Sequence, residues 1–315
     1  MELIRGLHNL RDRHRACALT IGNFDGVHLG HQAIIKRLIE KARELDIDAC
    51  IMSFEPLPQE YFNSATAPER LTRLREKWCA LETTGIDQFL CIKFNHWLAD
   101  LNAEDFIKHI LVDELHVKYL VVGDDFRFGK GRIGDFDMLR AAGEKYNFEV
   151  VNSHSHCLDD ERISSTIIRR ALAENRLDYA NRMLGRTYRI CGRVAHGDKR
   201  GRTIGFPTAN IKLHRHATPL SGVYAVRMIG LSDTAINGVA NIGKRPTVDG
   251  HNLQLEVHLF DFDKSIYGEQ VCVEFLHKLR DEHRFESFDA LKDQIIKDSE
   301  QAKDFFAQQN QTEKQ

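Results

Sequence analysis

Two histidines at the start of a predicted helix are the first residues whose types and spacing could do chemistry. Residues 20–32 read TIGNFDGVHLGHQ, in which a predicted strand ends in a glycine-bearing turn and a helix should begin at about Gly30. His28 and His31 then lie on one side of the helix entry, because residues three apart are neighbours on a helix. Backbone N–H groups at a helix start hold phosphate well, and two imidazoles could stabilise the charge that develops when phosphorus is attacked. A pair of surface histidines is the alternative, but the strand-turn-helix context favours a phosphate site.

A second candidate phosphate site lies where three hydroxyl side chains precede an arginine. Ser164, Ser165 and Thr166 can cap the helix that is predicted to begin there, which would be a purely structural role. Arg169 follows one turn later and adds a guanidinium group. Hydroxyls, backbone N–H groups and a positive charge together could hold one phosphate group.

The segment GDDFRFG at residues 123–129 follows a predicted strand. It should therefore lie at the carboxyl edge of the sheet, where parallel sheets bind their ligands. Asp125, Phe126 and Arg127 could hold a ribose, a base or a flavin there. An ordinary surface turn would explain the same residues.

A basic segment in the second half of the chain surrounds another glycine-bearing loop. Residues 186–215 contain eight Lys or Arg and a single acid, Asp198, a local charge of +7 in a chain of net charge −2. Such a run is usually a solvated face. Here it flanks residues 205–210, GFPTAN, where the backbone can approach a nucleotide. The Thr208 hydroxyl and the Asn210 carbonyl are hard ligands that suit Mg²⁺, and the GxxxxGK[ST] motif does not occur.

Glu256 lies in a run of alternating apolar and polar residues, LQLEVHL at residues 253–259. Alternation places it on the opposite face of a strand from Leu255 and Val257. Taken alone, this pattern indicates a solvated glutamate on a strand.

The elements that must position these residues change character near residue 185. Upstream, predicted strands at 16–21, 49–54, 88–94, 119–122 and 148–151 alternate with predicted helices near 69–82, 103–115 and 136–146. This alternation predicts an α/β fold with a parallel sheet covered on both faces.

Downstream, predicted strands follow one another through turn residues, at 189–195, 208–211, 223–229, 235–242, 253–259 and 270–276, before a helix that begins at Ser287. Serial strands favour an all-β antiparallel barrel or sandwich. We predict two domains, residues 1–185 and 186–309, followed by a polar tail, residues 310–315, that frays.

Composition excludes several classes of protein. The longest stretch without Asp, Glu, Lys or Arg, residues 216–226, has eleven residues, well short of the ~20 that a membrane helix needs. Seven scattered cysteines without a CxxC predict reduced thiols and a cytoplasmic protein. The net charge of −2 predicts neither a nucleic-acid nor a membrane partner, and nothing in the sequence selects an oligomeric state.

The motifs together resemble one family, the bacterial bifunctional riboflavin kinase/FMN adenylyltransferases, also called FAD synthetases. HxGH at His28 and His31 is the signature of the nucleotidyltransferase superfamily, and the longer segment 20–32 is similar to the start of these enzymes. Further matching segments follow in the order of the family, at residues 54–56, 71–77, 122–129, 162–169, 196–197, 201–211, 222–224, 238–247 and 255–258. The resemblance implies a Rossmann-like nucleotidyltransferase domain, then a Greek-key β-barrel with a terminal helix.

The resemblance also implies two reactions: riboflavin and ATP give FMN, and FMN and ATP give FAD and pyrophosphate, with Mg²⁺. For the adenylyltransferase it assigns ATP binding to Gly22, Asn23, Phe24, Asp25, Gly30, Ser164, Ser165, Thr166 and Arg169, catalysis to His28 and His31, and an FMN or nucleotide loop to Gly123, Asp125, Phe126 and Arg127. For the kinase it assigns ATP binding to Gly197, Gly205, Pro207, Thr208 and Asn210, the last two also as Mg²⁺ ligands, and flavin binding to Arg280, Glu282 and Phe285. Glu256 matches the general base that takes the proton from the ribityl 5′-hydroxyl.

Two other functions are weighed against this one. An aminoacyl-tRNA synthetase-like enzyme could combine HxGH with a barrel, but a net charge of −2 supplies no extended basic face for tRNA. A non-catalytic flavin carrier would require a degraded catalytic pattern, whereas His28, His31, Thr208, Asn210 and Glu256 are all present.

Overall fold

The computed structural model describes residues 1–153, 156–196, 206–215, 217–247, 250–283 and 285–312. The chain divides into two compact units, one comprising Met1–Pro68 and Thr72–Ser165, the other Glu69–Leu71 and Thr166–Gln315. This division follows spatial contacts, whereas the predicted limit near residue 185 follows the change of sequence pattern. The domain limits therefore stay a prediction.

The first unit contains a six-stranded parallel sheet, as the alternation of elements predicts. Its strands are β1 Glu2–Arg5, β2 Ala18–Ile21, β3 Ala49–Glu55, β4 Gln88–Lys93, β5 Tyr119–Gly123 and β6 Glu149–Ser153, in the order β1-β4-β3-β2-β5-β6. Its helices are α1 Leu29–Glu44, α2 Pro58–Phe62, α3 Leu74–Glu82, α4 His96–Asp100, α5 Ala103–Asp105, which continues as a π-helical segment Phe106–Glu114, and α6 Phe136–Tyr146. A short hairpin, β7 Cys157–Leu158 and β8 Glu161–Arg162, follows β6.

Alternate residues of each central strand supply the two faces of this sheet. In β5, Leu120 and Val122 pack into one apolar core, and Tyr119 and Val121 pack into the core on the opposite face. Both faces are covered, which explains why the central strands are continuous apolar runs.

The connections of the sheet reverse direction at β2, which pairs with β3 on one side and with β5 on the other. Ligands of open parallel sheets bind outside the carboxyl ends of the strands at such a point. The segments that leave the sheet there are the turn after β2 and the loop after β5, both singled out from the sequence.

The second unit contains a closed antiparallel barrel. Two helices, α7 Ser165–Ala173, which begins in the first unit, and α8 Leu177–Leu184, precede β9 Arg189–Ala195, β10 Ala209–Lys212, β11 Gly222–Ile229, β12 Ile236–Thr247, β13 Gly250–Leu259, β14 Gln270–Arg280 and α9 Phe288–Thr312. The barrel order is β10-β13-β12-β11-β14-β9. Of the two all-β alternatives, the barrel is therefore the one observed. Helix α9 extends into the segment predicted to fray.

One prediction about the cysteines is wrong. Cys191 on β9 and Cys272 on β14 face each other in register, with Cα atoms 4.0 Å apart, and are joined by a disulfide. The two residues are 81 positions apart and become neighbours only because the barrel closes between β14 and β9. Along the part of the chain that the structure describes, no helix is long and apolar enough to cross a membrane.

Candidate active sites

The two histidines of the HxGH element stack on each other at the start of α1. His28 is the N-cap of the helix, and its Nδ1 accepts a hydrogen bond of 3.2 Å from the backbone N–H of His31. The two ring centroids are 3.6 Å apart and the rings are nearly parallel. Because Nδ1 accepts, the neutral His28 ring carries its proton on Nε2.

The turn that precedes His28 is held by a threonine from a distant part of the chain. Asp25 is buried, and its Oδ1 accepts from both the backbone N–H and the hydroxyl of Thr72, at 2.8 and 3.1 Å. Gly26 N–H donates to the same hydroxyl at 2.9 Å. Phe24 and Val27 both have positive φ, 46° and 42°, a strained conformation that persists only where surrounding contacts impose it.

The chain before α7 lies against this turn. Ser165 Oγ donates to the Asp25 carbonyl at 2.8 Å. A Cβ on Gly30 would stand 3.2 Å from the His28 ring and 3.6 Å from the Ile163 carbonyl, so glycine permits the close approach of the two segments. Ser165, at the start of the predicted phosphate segment 164–169, thus contacts the turn that precedes His28.

Thr166 and Arg169, the later residues of the predicted phosphate segment, belong to the second unit. There, Arg169 Nε donates to the Glu69 carbonyl at 2.6 Å. The phosphate roles of Thr166 and Arg169 stay predictions.

An aromatic cavity of about 860 Å³ opens on the same turn. Gly22 and Asn23 line it from the turn after β2, and residues 125–129 line it from the loop after β5. Phe94 also lines it, with its ring centroid 5.8 Å from that of Phe54 and 5.7 Å from that of Phe62. A cavity of this size and lining suits a flat, largely apolar ligand.

Charged side chains stand at the edge of this cavity. Arg162 Nη2 bonds to Asp124 and Asp125 at 3.3 and 3.2 Å, and Arg127 and Arg132 belong to the lining. Asp125, Phe126 and Arg127 are therefore brought together with Gly22 and Asn23, as their positions at the carboxyl edge predict.

The loop that carries Arg132 is tied down at both ends. Phe128 and Gly134 exchange two backbone hydrogen bonds, of 3.1 and 3.0 Å. The Lys130 ammonium lies 2.8 Å from Asp100 Oδ1 and holds the pKa of that carboxyl below its ordinary value.

In the second unit, the candidate base and the candidate metal ligand lie opposite each other on neighbouring strands. Asn210 of β10 and Glu256 of β13 are in register. Leu255 and Val257 are fully buried, while Glu256 is half-buried. Glu256 therefore lies on the opposite face of the strand from Leu255 and Val257, as alternation predicts. Gln254 donates from Nε2 to Asn210 Oδ1 and to Glu256 Oε1, both at 2.8 Å, and thereby links the two residues.

The segment before β10 is fixed by the next outward residue of β13. His258 Nδ1 lies 2.9 Å from the Pro207 carbonyl, and the imidazole meets the Phe206 ring edge-on at 5.1 Å. Because a carbonyl only accepts, Nδ1 must carry the proton. This contact places Thr208 at the entry to β10. Gly197 and Gly205 belong to residues 197–205 of the basic segment, which lie outside the described residues.

The residues predicted to bind flavin in the barrel have partners within the chain. Arg280 bonds from Nε and Nη2 to the buried Asp298 of α9, at 2.9 and 2.8 Å, and its guanidinium lies 5.6 Å from the Phe285 ring centroid. A Cβ on Gly243 would overlap the Glu282 carboxylate. Arg280 thus fastens α9 to β14, and the flavin roles of these residues stay predictions.

Within the described residues, no group of three or more His, Cys, Asp or Glu could hold a metal ion. The donors at the barrel site are instead a hydroxyl and an amide carbonyl. This set fits Mg²⁺, which usually takes one or two protein oxygens and completes its shell with water and substrate phosphates.

Sequence reasoning missed Thr72, Gln254 and the aromatic rings of the cavity. Gln254 could have been found, because it is two residues before Glu256 and therefore on the same face of the strand. Thr72 lies in the family-matching segment 71–77, but neither Thr72 nor Phe94 carries a periodic signal for its contacts, since their partners are distant in the sequence.

The α/β unit carries a glycine-bearing turn at the switch point of its sheet. The barrel carries a carboxylate opposite an amide, with a hydroxyl two residues before that amide. These two arrangements indicate an enzyme of nucleotide chemistry with two sites. The family model for FAD synthetase matches residues 10–167, and that for riboflavin kinase matches residues 184–306.

Relatives match over nearly the whole chain. The bifunctional riboflavin kinase/FMN adenylyltransferase of Haemophilus influenzae is 55% identical over 306 residues, 97% of this chain and 99% of that protein. The enzyme of the same name from Pseudomonas fluorescens is 50% identical over 299 residues, 95% and 96% of the two chains. A crystal structure described as a macrolide-efflux protein from Streptococcus pneumoniae has a TM-score of 0.77 at 30% identity, and the match covers 94% and 96%.

The chain belongs to the bifunctional riboflavin kinase/FMN adenylyltransferase family, which confirms the resemblance of the motifs. It has both activities, riboflavin kinase and FMN adenylyltransferase, and ATP is the co-substrate. Riboflavin, FMN and FAD are therefore its substrates and products.

Proposed function

We propose that the turn after β2, the start of α1 and residues 164–165 form the adenylyltransferase site, with the aromatic cavity as the place of the FMN ring system. The observation that carries this proposal is that the turn bearing the stacked His28 and His31 also lines the cavity, through Gly22 and Asn23. A flavin placed there would have its phosphate near the arginines at the rim and near the nucleotide turn.

Adenylyl transfer requires charge stabilisation more than proton removal. An FMN phosphate oxygen attacks the α-phosphorus of ATP, the bond from that phosphorus to the bridging oxygen breaks, and pyrophosphate leaves. The nucleophile is already anionic, so His28 and His31 act as donors to the phosphate oxygens as negative charge develops. Mg²⁺, when bound with ATP, neutralises part of the phosphate charge.

The kinase reaction starts from a neutral alcohol and therefore needs a base. Glu256 takes the proton of the ribityl 5′-hydroxyl as its oxygen attacks the γ-phosphorus of ATP, and ADP leaves. Thr208 and Asn210 would hold Mg²⁺ with the ATP phosphates. Gln254 positions both sides of the site, because one amide group hydrogen-bonds to Asn210 and to Glu256.

Incubation of the full chain with MgATP and either riboflavin or FMN, followed by chromatography of the flavins, tests the assignment of chemistry to sites. The wild-type chain should convert riboflavin to FMN and FMN to FAD. Variants of the histidine pair and of Glu256 should each stop one conversion only. Loss of both conversions in a folded single-site variant would overturn the separation into two sites.

A further inference from the structure

A fully buried lysine contacts the turn after β2, here called the nucleotide turn (residues 22–27), and has no part in the chemistry described so far. Lys77 of α3 is 1% exposed. Its Nζ donates to the Asn23 carbonyl at 2.5 Å and to the Ser53 hydroxyl at 3.2 Å, and Ser53 Oγ donates to the same carbonyl at 3.3 Å. Burying an ammonium group is costly, so this position calls for an explanation beyond packing.

The partners of Lys77 lie at the switch point of the sheet. Asn23 belongs to the turn after β2 and lines the aromatic cavity, and Ser53 lies near the carboxyl end of β3. The same turn is held two residues further on by Thr72, through Asp25 and Gly26. One short segment, residues 72–77, therefore holds the nucleotide turn at two points.

The hydrogen bond to Asn23 determines which way one peptide group of the turn faces. In a trans peptide the C=O of one residue and the N–H of the next point in opposite directions. With the Asn23 carbonyl directed at the buried Lys77, the N–H of Phe24 is directed away from Lys77. An N–H on that side of a glycine-bearing turn can donate to a phosphate oxygen.

We propose that Lys77 is a positioning residue for adenylyl transfer. It acts through Asn23: its ammonium holds the carbonyl inward, and the turn keeps its N–H groups in the orientation that binds the ATP phosphates. The inference rests on the proposed adenylyltransferase site, which the His28 and His31 variants test separately.

A purely structural lysine would stabilise α3 against the sheet, and its replacement would lower FAD formation only in proportion to the fraction of unfolded protein. Lys77→Met is the first variant, because methionine fills similar space and leaves the Ser53 hydroxyl as a partner for the Asn23 carbonyl. Lys77→Gln is the second, because its amide can still donate to that carbonyl without a charge. Lys36→Met, an exposed lysine of α1, is the matched control.

The measurements are kcat and KM for FAD formation from FMN, and the rate of FMN formation from riboflavin on the same sample. Misplacement of a positioned group by about 1 Å can cost about 10²-fold. We expect Lys77→Met to lower kcat for FAD formation by about 10²-fold, with KM for FMN within about twofold and riboflavin phosphorylation unchanged. Lys77→Gln should recover about 10-fold of that loss, and Lys36→Met should match the wild type.

Three results would overturn the proposal. The first is a Lys77→Met variant with normal FAD formation. The second is a Lys77→Gln variant as slow as Lys77→Met, since the carbonyl orientation would then not be what matters. The third is a loss of FAD formation no larger than the loss of folded protein, measured by circular dichroism on the same samples, which would make Lys77 a structural residue.

Discussion

The two proposed sites, the turn after β2 in the first unit and the wall formed by β10 and β13 in the second, would prepare ATP for attack in different ways. The turn depends on backbone groups in strained conformations, held by Thr72 and Lys77 from elsewhere in the sequence. The wall depends on side chains that regular strands already place in register, Asn210 opposite Glu256. Regular strands hold such side chains without external support, whereas an irregular turn needs it.

The nucleophiles explain why the two sites differ in residue types. Under the proposed assignment, a phosphate nucleophile needs no base, and the turn offers it the donors His28 and His31. A hydroxyl nucleophile must lose a proton, and the wall offers the carboxylate of Glu256, to which the Gln254 amide donates. Substitutions that affect one reaction and spare the other therefore test the comparison directly.

The largest effect is expected for Glu256→Gln. A general base contributes ~10²–10⁴-fold, so formation of FMN from riboflavin should fall by about that factor. Glutamine is nearly isosteric, and FMN supplied directly should still become FAD at a near-normal rate. Glu274→Gln, a half-buried glutamate of β14, is the control and should leave both rates unchanged. Rapid phosphorylation by the Glu256 variant would return this residue to a solvated glutamate on a strand.

The double variant His28→Ala, His31→Ala should give the reciprocal result. Removing donors that stabilise developing charge costs about 10²–10³-fold each, so FAD formation should become negligible while FMN accumulates from riboflavin. His109→Ala, an exposed histidine of the same unit, should behave as the wild type. If FMN accumulation also failed in a folded double variant, the assignment of one reaction to each unit would be wrong.

A smaller effect is expected for Gln254→Leu. A hydrogen bond to a charged group is worth about 1.5–3 kcal/mol, so riboflavin phosphorylation should slow by about 10-fold or more. The bond favours the charged carboxylate. Its removal should therefore move the acidic limb of the kinase pH profile to higher pH, whereas the profile of FAD formation should stay in place. A slower variant with an unmoved acidic limb would argue against a link between Gln254 and the base.

The smallest effect is expected for Phe62→Ala, at the rim of the aromatic cavity. Phe62 is 67% exposed, so the fold should tolerate the change. An aromatic pair is worth about 0.5–1.5 kcal/mol, which predicts a rise in KM for FMN of about 2- to 10-fold, with KM for riboflavin unchanged. Trp97→Ala is a matched control, because Trp97 is 52% exposed on α4 and is not part of the cavity lining. An unchanged KM for FMN would place the flavin elsewhere.

Elements with strong local signals could be predicted closely. Helix α6 begins and ends where its apolar spacing predicts, since Asp135 caps it by accepting from Met138 N–H. Helix α3 begins at Leu74, five residues later than predicted, because the Glu76 carboxylate accepts from the Arg73 N–H and ends the preceding segment there. Strand β12 continues to Thr247, beyond the apolar run, because β13 pairs with it along this length.

The sequence by itself determined three features: the two fold classes, the position of the HxGH pair at a helix entry, and the outward face of Glu256. Each of them depends on the spacing of residues that are close together in the sequence. Tertiary structure alone decided which distant groups meet: Thr72 with Asp25 across 47 positions, Gln254 with Asn210 across 44, and Cys191 with Cys272 across 81. Such partners are selected by the order of strands in a sheet and by the closure of a barrel, and no local periodicity carries that information.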